Sequence, residues 1–402
     1  MKQQIVIAGS GFAGMWAALS AARAVDLAGR SETVEITVVS PAPALHIRPR
    51  FYESALDEVA PQLSAVFEAV GVRHLAGWVV DVDSARRRIE VKQSSGQGLT
   101  LDYDRFILAT GSQVFLPPVP GLAEFAFNVD SLESAQALEA HLGSLAIQPE
   151  SRMRNTVVVV GGGFAGLETA SEMPSRLRRI FGDCSRTRSI ILERSAQIGP
   201  EMHPEARDMV DEALSICGVE AMTGACVTAV APDGVTLADG RRIDAATVIW
   251  TGGLRANPLA AALGLGSDDL GRVTADGMLR AVGKSDIFVT GDVARAAADS
   301  AGNVAMMSCQ HALSLGRVAG HNAAAELVGL PLHAYSQPKY STCIDLGSWG
   351  ALYTEGWDRQ LRLSGAEGKA MKRQINTQWI YPPSPDRDLV FAIANPGYEV
   401  FA

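Results

Sequence analysis

Two short glycine turns constrain this chain more than any other feature. Gly9, Gly11 and Gly14 follow the apolar run QIVIA, and Gly161, Gly163 and Gly166 follow TVVVV. The turns read GSGFAG and GGGFAG, and each opens a helix-like run rich in small residues. In such a turn the first glycine permits a tight reversal and the second leaves space for a pyrophosphate. The third lets the helix pack close to the sheet. The helix start then aims unpaired N–H groups at phosphate charge. One such loop is equally compatible with a bare structural turn. Two near copies, each between a buried strand and a helix, predict two dinucleotide sites in one chain.

The ends of neighbouring strands supply candidate ligand contacts. In the first half, VEITVV ends at Ser40, where an acidic residue usually meets the adenosine ribose. A serine hydroxyl bonds a ribose more weakly than a carboxylate does. YDRFILATGS brings Thr110 and Gly111 to another strand end, and DIFVTGD brings Asp292 to a third, with a helix start expected just after it. In the second half, SIILE ends at Glu193, a carboxylate suited to the 2′ and 3′ hydroxyls of an NADH ribose and repellent to a 2′-phosphate. Arg194 beside it is able to pair with that phosphate, so NADPH stays open as a donor. Two dinucleotides in one chain suggest an electron relay, in which a nicotinamide gives hydride to a flavin.

The expected fold is α/β, with two Rossmann-like dinucleotide-binding domains and the nicotinamide domain inserted in the FAD domain. The boundaries are read as residues 1–118 for the first part of the FAD domain and 119–279 for the nicotinamide domain. Residues 280–329 form the second FAD part, and 330–402 a small mixed C-terminal segment that serves as acceptor site or interface. The linkers are placed at FLPPVPG and GMLRAV. Short alternating strands between Val219 and Val248 are expected to form a small antiparallel element. Trp349, Trp357, Trp379 and Tyr381 crowd the last segment. They suit a flat acceptor site, with a small core or a homodimer interface as the plainer reading.

Composition excludes other classes. A net charge of -9 and a pI near 5.4 do not fit a nucleic-acid binder or broad attraction to anionic lipid. Arg176, Arg178 and Arg179 read as a solvated helix face. The five cysteines (Cys184, Cys217, Cys226, Cys309, Cys343) form no CxxC pair, so no disulfide framework, redox dithiol or metal site is expected. No apolar stretch reaches the length of a transmembrane helix. With MKQQIVIAGSGFAG entering a strand directly, without a leader, the expected location is cytoplasmic. Peripheral contact with the inner face of the membrane stays open.

Taken in order, several stretches carry a family likeness: GSGFAG, HIRPRFYE (His46–Glu53), ILATGS, VVVVGGGFAGLETA, ATVIWTGGLRANPL, GRVTADGMLR, DIFVTGDVARA and SCQHALSLGRVAGHN. They resemble the type II NADH dehydrogenases, the single-subunit NADH:quinone oxidoreductases among the two-dinucleotide-domain flavoproteins. The resemblance implies noncovalent FAD, hydride from NADH and reduction of a quinone or quinone-like aromatic acceptor. It implies that Gly9, Gly11 and Gly14 hold the FAD pyrophosphate and that Arg48 neutralises part of its charge. Thr110 and Gly111 would lie against the flavin nucleotide and Asp292 against its ribityl chain. Gln310 would approach the isoalloxazine or the quinone. Gly161, Gly163, Gly166 and Glu193 would bind NADH, and Gly252 and Gly253 would form the turn that lets it lie over the flavin. Glu168 would stand near both rings, orienting the carboxamide or handling a proton; helix-start electrostatics is the plainer account. His46 reads as structural.

Ser40 departs from the family pattern, and so does the tail. Membrane-bound relatives end in amphipathic helices, whereas PPSPDRDLVFAIANPGYEVFA shows no sustained helical stripe, which favours a soluble enzyme. Sulfide chemistry is disfavoured, because Cys343 has no cysteine partner near Val160. Two other readings stay open. One is a reductase delivering electrons to a redox-protein partner or an oxygenase. The other is a flavin-bound sensor or interaction protein that responds to NADH.

Overall fold

The computed structural model describes residues 2–182 and 186–399. Cys184 and residues 400–402 of the tail lie outside the described residues. The first lobe contains β1 (Gln3–Ala8), α1 (Phe12–Leu27), β2 (Val34–Ser40), β3 (Arg73–Ala76) and β4 (Arg105–Leu108). The second holds α2 (Leu132–Leu145), β5 (Thr156–Val160), α3 (Phe164–Phe181), β6 (Arg188–Leu192), β7 (Val219–Met222) and β8 (Thr247–Trp250). The chain returns to the first lobe through β9 (Ile287–Val289) and α4 (Cys309–Val328). It ends in β10 (Ser341–Asp345), β11 (Ala351–Glu355), β12 (Gln360–Leu363), α5 (Gly365–Gln374) and α6 (Arg387–Ile393).

Each lobe is built on a parallel sheet. The strand orders are β9-β4-β1-β2-β3 and β7-β6-β5-β8. The unbroken apolar runs of β1 and β5 fit strands covered on both faces, which a parallel sheet requires. β1 and β5 are both internal strands: the chain builds outward from each on one side and later returns to pair on the other. The glycine turns therefore leave the carboxyl ends of strands at the switch point, where open α/β sheets bind ligands. Helices α1 and α4 pack backbone to backbone over the first sheet. A Cβ on Gly316 would stand 2.4 Å from the Ala13 carbonyl oxygen, and one on Gly320 would stand 2.0 Å from that of Ala17.

The structure moves several sequence expectations. Val219–Met222 and Thr247–Trp250 extend the parallel sheet, pairing in register with β6 and β5. The antiparallel element is confined to Val227–Ala231, Gly234–Leu237 and Arg242–Asp244. The two crossings between lobes pair with each other, Ser112–Val114 against Leu254–Ala256. The chain rejoins the first lobe well before residue 280, since Leu259, Leu263, Val273 and Ala281 fill a core with Val6, Leu108 and Ile287. FLPPVPG lies beyond the outgoing crossing, with Val119 and Leu122 packed in the second lobe. Arg176 is not a solvated charge. It is 2% exposed, pairs with Glu139 and donates to the Tyr52 carbonyl at 3.0 Å. Arg178 and Arg179 are exposed.

The tail forms a short helix where no helical stripe was expected. The Asp386 side chain caps α6 by accepting from Leu389 N–H at 2.9 Å. Val390 and Ala394 are buried in the first lobe's core, and Arg317 Nε donates to the Ile393 carbonyl at 2.8 Å. Among the described residues no helix is long and apolar enough to cross a membrane, and no cluster of metal ligands occurs.

Candidate active site

In both turns the three glycines have separable physical roles. Gly9 has φ +106°, and a Cβ there would stand 2.5 Å from the Ala109 carbonyl oxygen. A Cβ on Gly14 would lie 2.0 Å from the Gly9 carbonyl oxygen, while Gly11 has no heavy atom within 4 Å. The second turn repeats this: Gly161 has φ +115°, Gly166 would meet the Gly161 oxygen at 1.8 Å, and Gly163 faces open space. The outer glycines are required by the backbone, and the middle one leaves room for a phosphate. Gly11 and Gly163 are the N-caps of α1 and α3 and make no side-chain cap bond, so the first-turn N–H groups are free for an anion.

Around the first turn stand groups suited to a flavin dinucleotide. Asp292 lies in a single 3₁₀ turn, Gly291–Val293, directly after β9. The α-helix expected there begins only at Cys309, capped by Ser308. Asp292 accepts from Ser112 Oγ at 2.6 Å and lies 3.7 Å from Arg48 Nη1. Burial raises its pKa, and the Ser112 bond and Arg48 offset this only in part. Arg48 also donates to the Ser112 carbonyl at 3.2 Å and pairs with Asp130, a residue the sequence reading missed. Thr110 Oγ1 is buried without a partner among the described residues. Gly111 has φ +69° and open space beside it. An open cradle, an orphaned hydroxyl and a carboxylate at a strand end fit FAD. Ser40, at the end of β2, donates its hydroxyl to the Ala42 carbonyl at 2.7 Å and stands 3.0 Å from His74 Nε2. Burial lowers the pKa of His46, which packs edge-on against Phe51.

In the second lobe Glu193 is fixed between two loops. Its carboxylate accepts Gly162 N–H and Ser195 N–H, each at 2.7 Å. Burial alone would raise its pKa, but these N–H bonds outweigh burial and hold it below the usual range. Gly252 lies under the Trp250 ring, which a Cβ would meet at 2.9 Å, and Gly253 has φ +88°. This turn emerges from β8 beside the paired crossings.

Glu168 and its partners link the second lobe to the C-terminal segment. Its buried carboxylate accepts Lys372 Nζ from α5 at 2.6 Å and Asp345 N–H at 3.1 Å. Lys372 also donates to the Cys343 carbonyl at 3.0 Å. Asp345 in turn accepts Lys369 Nζ at 2.6 Å and Tyr52 OH at 3.1 Å. Complete burial raises the Glu168 pKa more than Lys372 lowers it. Burial works against the Lys372 ammonium, but Glu168 outweighs it and holds the lysine above its usual value. The two groups face each other at ion-pair distance. Gln310, in the first turn of α4, is buried and exchanges bonds with Ser341: Nε2 donates to Oγ at 3.2 Å, and Oε1 accepts Ser341 N–H at 3.3 Å.

The C-terminal aromatics divide between places. Trp379 and Tyr381 pack on the first core and Trp349 on the second. Trp357 stacks on Tyr340 at 4.8 Å, and both lie against His311 of α4. Burial pushes the thiols of Cys309 and Cys343 up to about 11 and about 12, so neither is a ready nucleophile. All four described cysteines are free.

Two parallel sheets, one lobe inserted in the other and a phosphate cradle at each switch point define a two-dinucleotide-domain oxidoreductase. The chain belongs to the pyridine nucleotide-disulphide oxidoreductase family, whose pattern matches residues 3–316. It is 44% identical over 383 residues to an NADH dehydrogenase-like protein of Mycobacterium tuberculosis, covering 94% of each chain. Over 384 residues it is 28% identical to the demethylphylloquinone reductase of Synechocystis, covering 93% of this chain and 91% of that one. A type II NADH:quinone oxidoreductase of Mycobacterium tuberculosis is 30% identical over 320 residues, 73% of this chain and 66% of that one. NDH2 of Plasmodium falciparum in complex with NADH shares the fold, with a TM-score of 0.80 at 14% identity over 98% of this chain and 97% of that one.

Proposed function

We propose that this protein is a FAD-dependent oxidoreductase that takes hydride from NADH and reduces a quinone. The observation that carries this reading is the pair of open phosphate cradles, one at the switch point of each sheet, in a chain without a described disulfide. FAD, when bound, accepts the hydride and passes both electrons to the acceptor. The turn at Gly9–Gly14 and the start of α1 hold the FAD pyrophosphate, and Arg48 balances part of its charge. Thr110, Gly111 and Asp292 bind the rest of the flavin nucleotide, with Ser40 on the adenosine side. Gly161, Gly163 and Gly166 hold NADH. Glu193, kept ionised by its N–H bonds, selects against a 2′-phosphate. The Gly252–Gly253 turn gives the nicotinamide room.

Quinone reduction consumes one proton beyond the hydride. Glu168 and Gln310 are the candidate catalytic residues. Glu168 orients the nicotinamide end, and its partner Lys372 holds a proton at Nζ within the protein. The names of the relatives support a quinone acceptor. Within α6, Val390 packs on the first lobe and Leu389 stays exposed; we place the enzyme in the cytoplasm, with peripheral contact at the inner face of the membrane left open.

Anaerobic mixing of the yellow protein with NADH, followed at the flavin band, tests the first half-reaction; a quinone panel tests the second. Failure of NADH and NADPH alike to bleach the flavin would refute the reading.

A further inference from the structure

The first phosphate cradle has a cation beside it, Arg48. In the second, the glycine turn itself carries none, and the nearest basic residue in the chain is the exposed Arg194 on the ribose side, beside Glu193. GGGFAGLE carries no basic residue, and Glu193 is bonded directly to its Gly162. A pyrophosphate on the glycine turn meets backbone N–H groups with the Glu193 carboxylate close by, so a cation reaching the turn from another element would favour it.

Arg359 is placed to be that cation. It closes the turn between β11 and β12 with φ +54°, a left-handed conformation rare for a residue with a side chain. Its guanidinium lies 5.1 Å from the ring centroid of Phe164, the first residue of α3, and 5.9 Å from that of Tyr340. Nη1 donates to the Glu201 carbonyl at 3.2 Å, and Nη2 to the Glu201 carboxylate at 3.1 Å. The loop that carries Glu201 touches the same glycine turn, since Gly199 N–H donates to the Gly162 carbonyl at 3.3 Å. The Arg359 side chain is 8% exposed and that of Glu201 is 72% exposed. A carboxylate so open to water holds its partner weakly, whereas a phosphate accepts a guanidinium in a strong, paired geometry.

We propose that Arg359 is the nucleotide-binding cation of the second site, supplied by the C-terminal hairpin of the same chain. On binding, its guanidinium exchanges the Glu201 carboxylate for the pyrophosphate of NADH and keeps the Glu201 carbonyl. The inference rests on the NADH reading above and adds that the C-terminal segment takes part in holding the nucleotide.

The test compares the FAD-loaded wild type with Arg359→Gln, Arg359→Lys and Glu201→Gln. ADP-ribose binding is read by calorimetry. Flavin reduction is read with NADH and with N-benzyl-dihydronicotinamide, a hydride donor without phosphate. Arg359→Gln is expected to weaken ADP-ribose and NADH binding by roughly ten- to a hundredfold and to leave reduction by the phosphate-free donor unchanged. Arg359→Lys should fall between, and Glu201→Gln should hold or tighten binding. The proposal is overturned if Arg359→Gln changes ADP-ribose affinity less than about twofold. It is also overturned if Arg359→Gln slows both donors equally, or if Glu201→Gln reproduces its loss, since Arg359 then only ties the hairpin down. If NADH fails to reduce the wild type while ADP-ribose still binds through Arg359, the donor reading falls and this one stands.

Discussion

Replacing Lys372 with methionine isolates the pair that joins α3 to α5. Methionine keeps much of the side-chain volume and removes the ammonium, leaving Glu168 buried beside Asp345 N–H with no countercharge. An unpaired buried carboxylate takes up a proton instead of staying charged. That sets a ceiling on the penalty, the cost of protonating a group with an ordinary pKa of 4.5 at the working pH. Each pH unit is worth about 1.4 kcal/mol, so the ceiling is about 4 kcal/mol at pH 7.5 and about 1.4 kcal/mol at pH 5.5. The lost bond to the Cys343 carbonyl adds about 1 kcal/mol at either pH. The sign follows from linkage. In the variant, the folded pKa of Glu168 lies further above its unfolded value. The folded state then binds more protons, and stability falls as pH rises between the two. Urea unfolding of wild type and Lys372→Met at pH 5.5 and 7.5 should show a destabilisation larger by up to about 2.7 kcal/mol at the higher pH. A loss that is the same at both pH values, or below about 1 kcal/mol at pH 7.5, would refute the pairing argument.

Four further outcomes are expected. Gly11→Ala should leave the fold and its unfolding midpoint intact, since nothing lies within 4 Å of the added methyl, and yet purify with little FAD by its absorbance. Gly14→Ala, whose Cβ meets the Gly9 carbonyl, should lose about 1–3 kcal/mol or more of stability by urea titration. His311, buried with its pKa held down at about 4, makes stability fall as pH drops from 6.5 toward 4. His311→Phe should flatten this acid limb by about 2 kcal/mol at pH 5 in urea midpoints. Truncation after Pro385 strips Val390 and Ala394 from the first core and the Ile393 carbonyl from Arg317. It should cost about 2–4 kcal/mol by the same titration, and neither form should float with anionic vesicles.

What the sequence revealed was local. The strand, glycine turn and small-residue helix at Gly9 and again at Gly161 are contiguous, so two parallel α/β lobes were legible from them. The C-terminal half of the candidate site was not. Glu168 and Lys372 are 204 residues apart, and nothing near either one announces the other. The only trace was Lys369 and Lys372 on one face of a short helix, a pattern that usually means solvent. Arg176 failed for a related reason: its burial depends on Glu139 of another helix, not on its own surroundings in the chain. The domain return was misplaced because PLAAAL and GRVTADGMLRAV carry apolar residues suited to either lobe. The packing of Leu259, Leu263 and Val273 against Val6 and Leu108 decides between them.

The close seating of α4 on α1, through Gly316 and Gly320, has a mechanical result. With main chain resting on main chain there is no soft side-chain layer to yield, so the turn at Gly9–Gly14 and the helix start bearing Gln310 must move as one block. A larger side chain at either glycine would push the two helices apart and shift both sites at once.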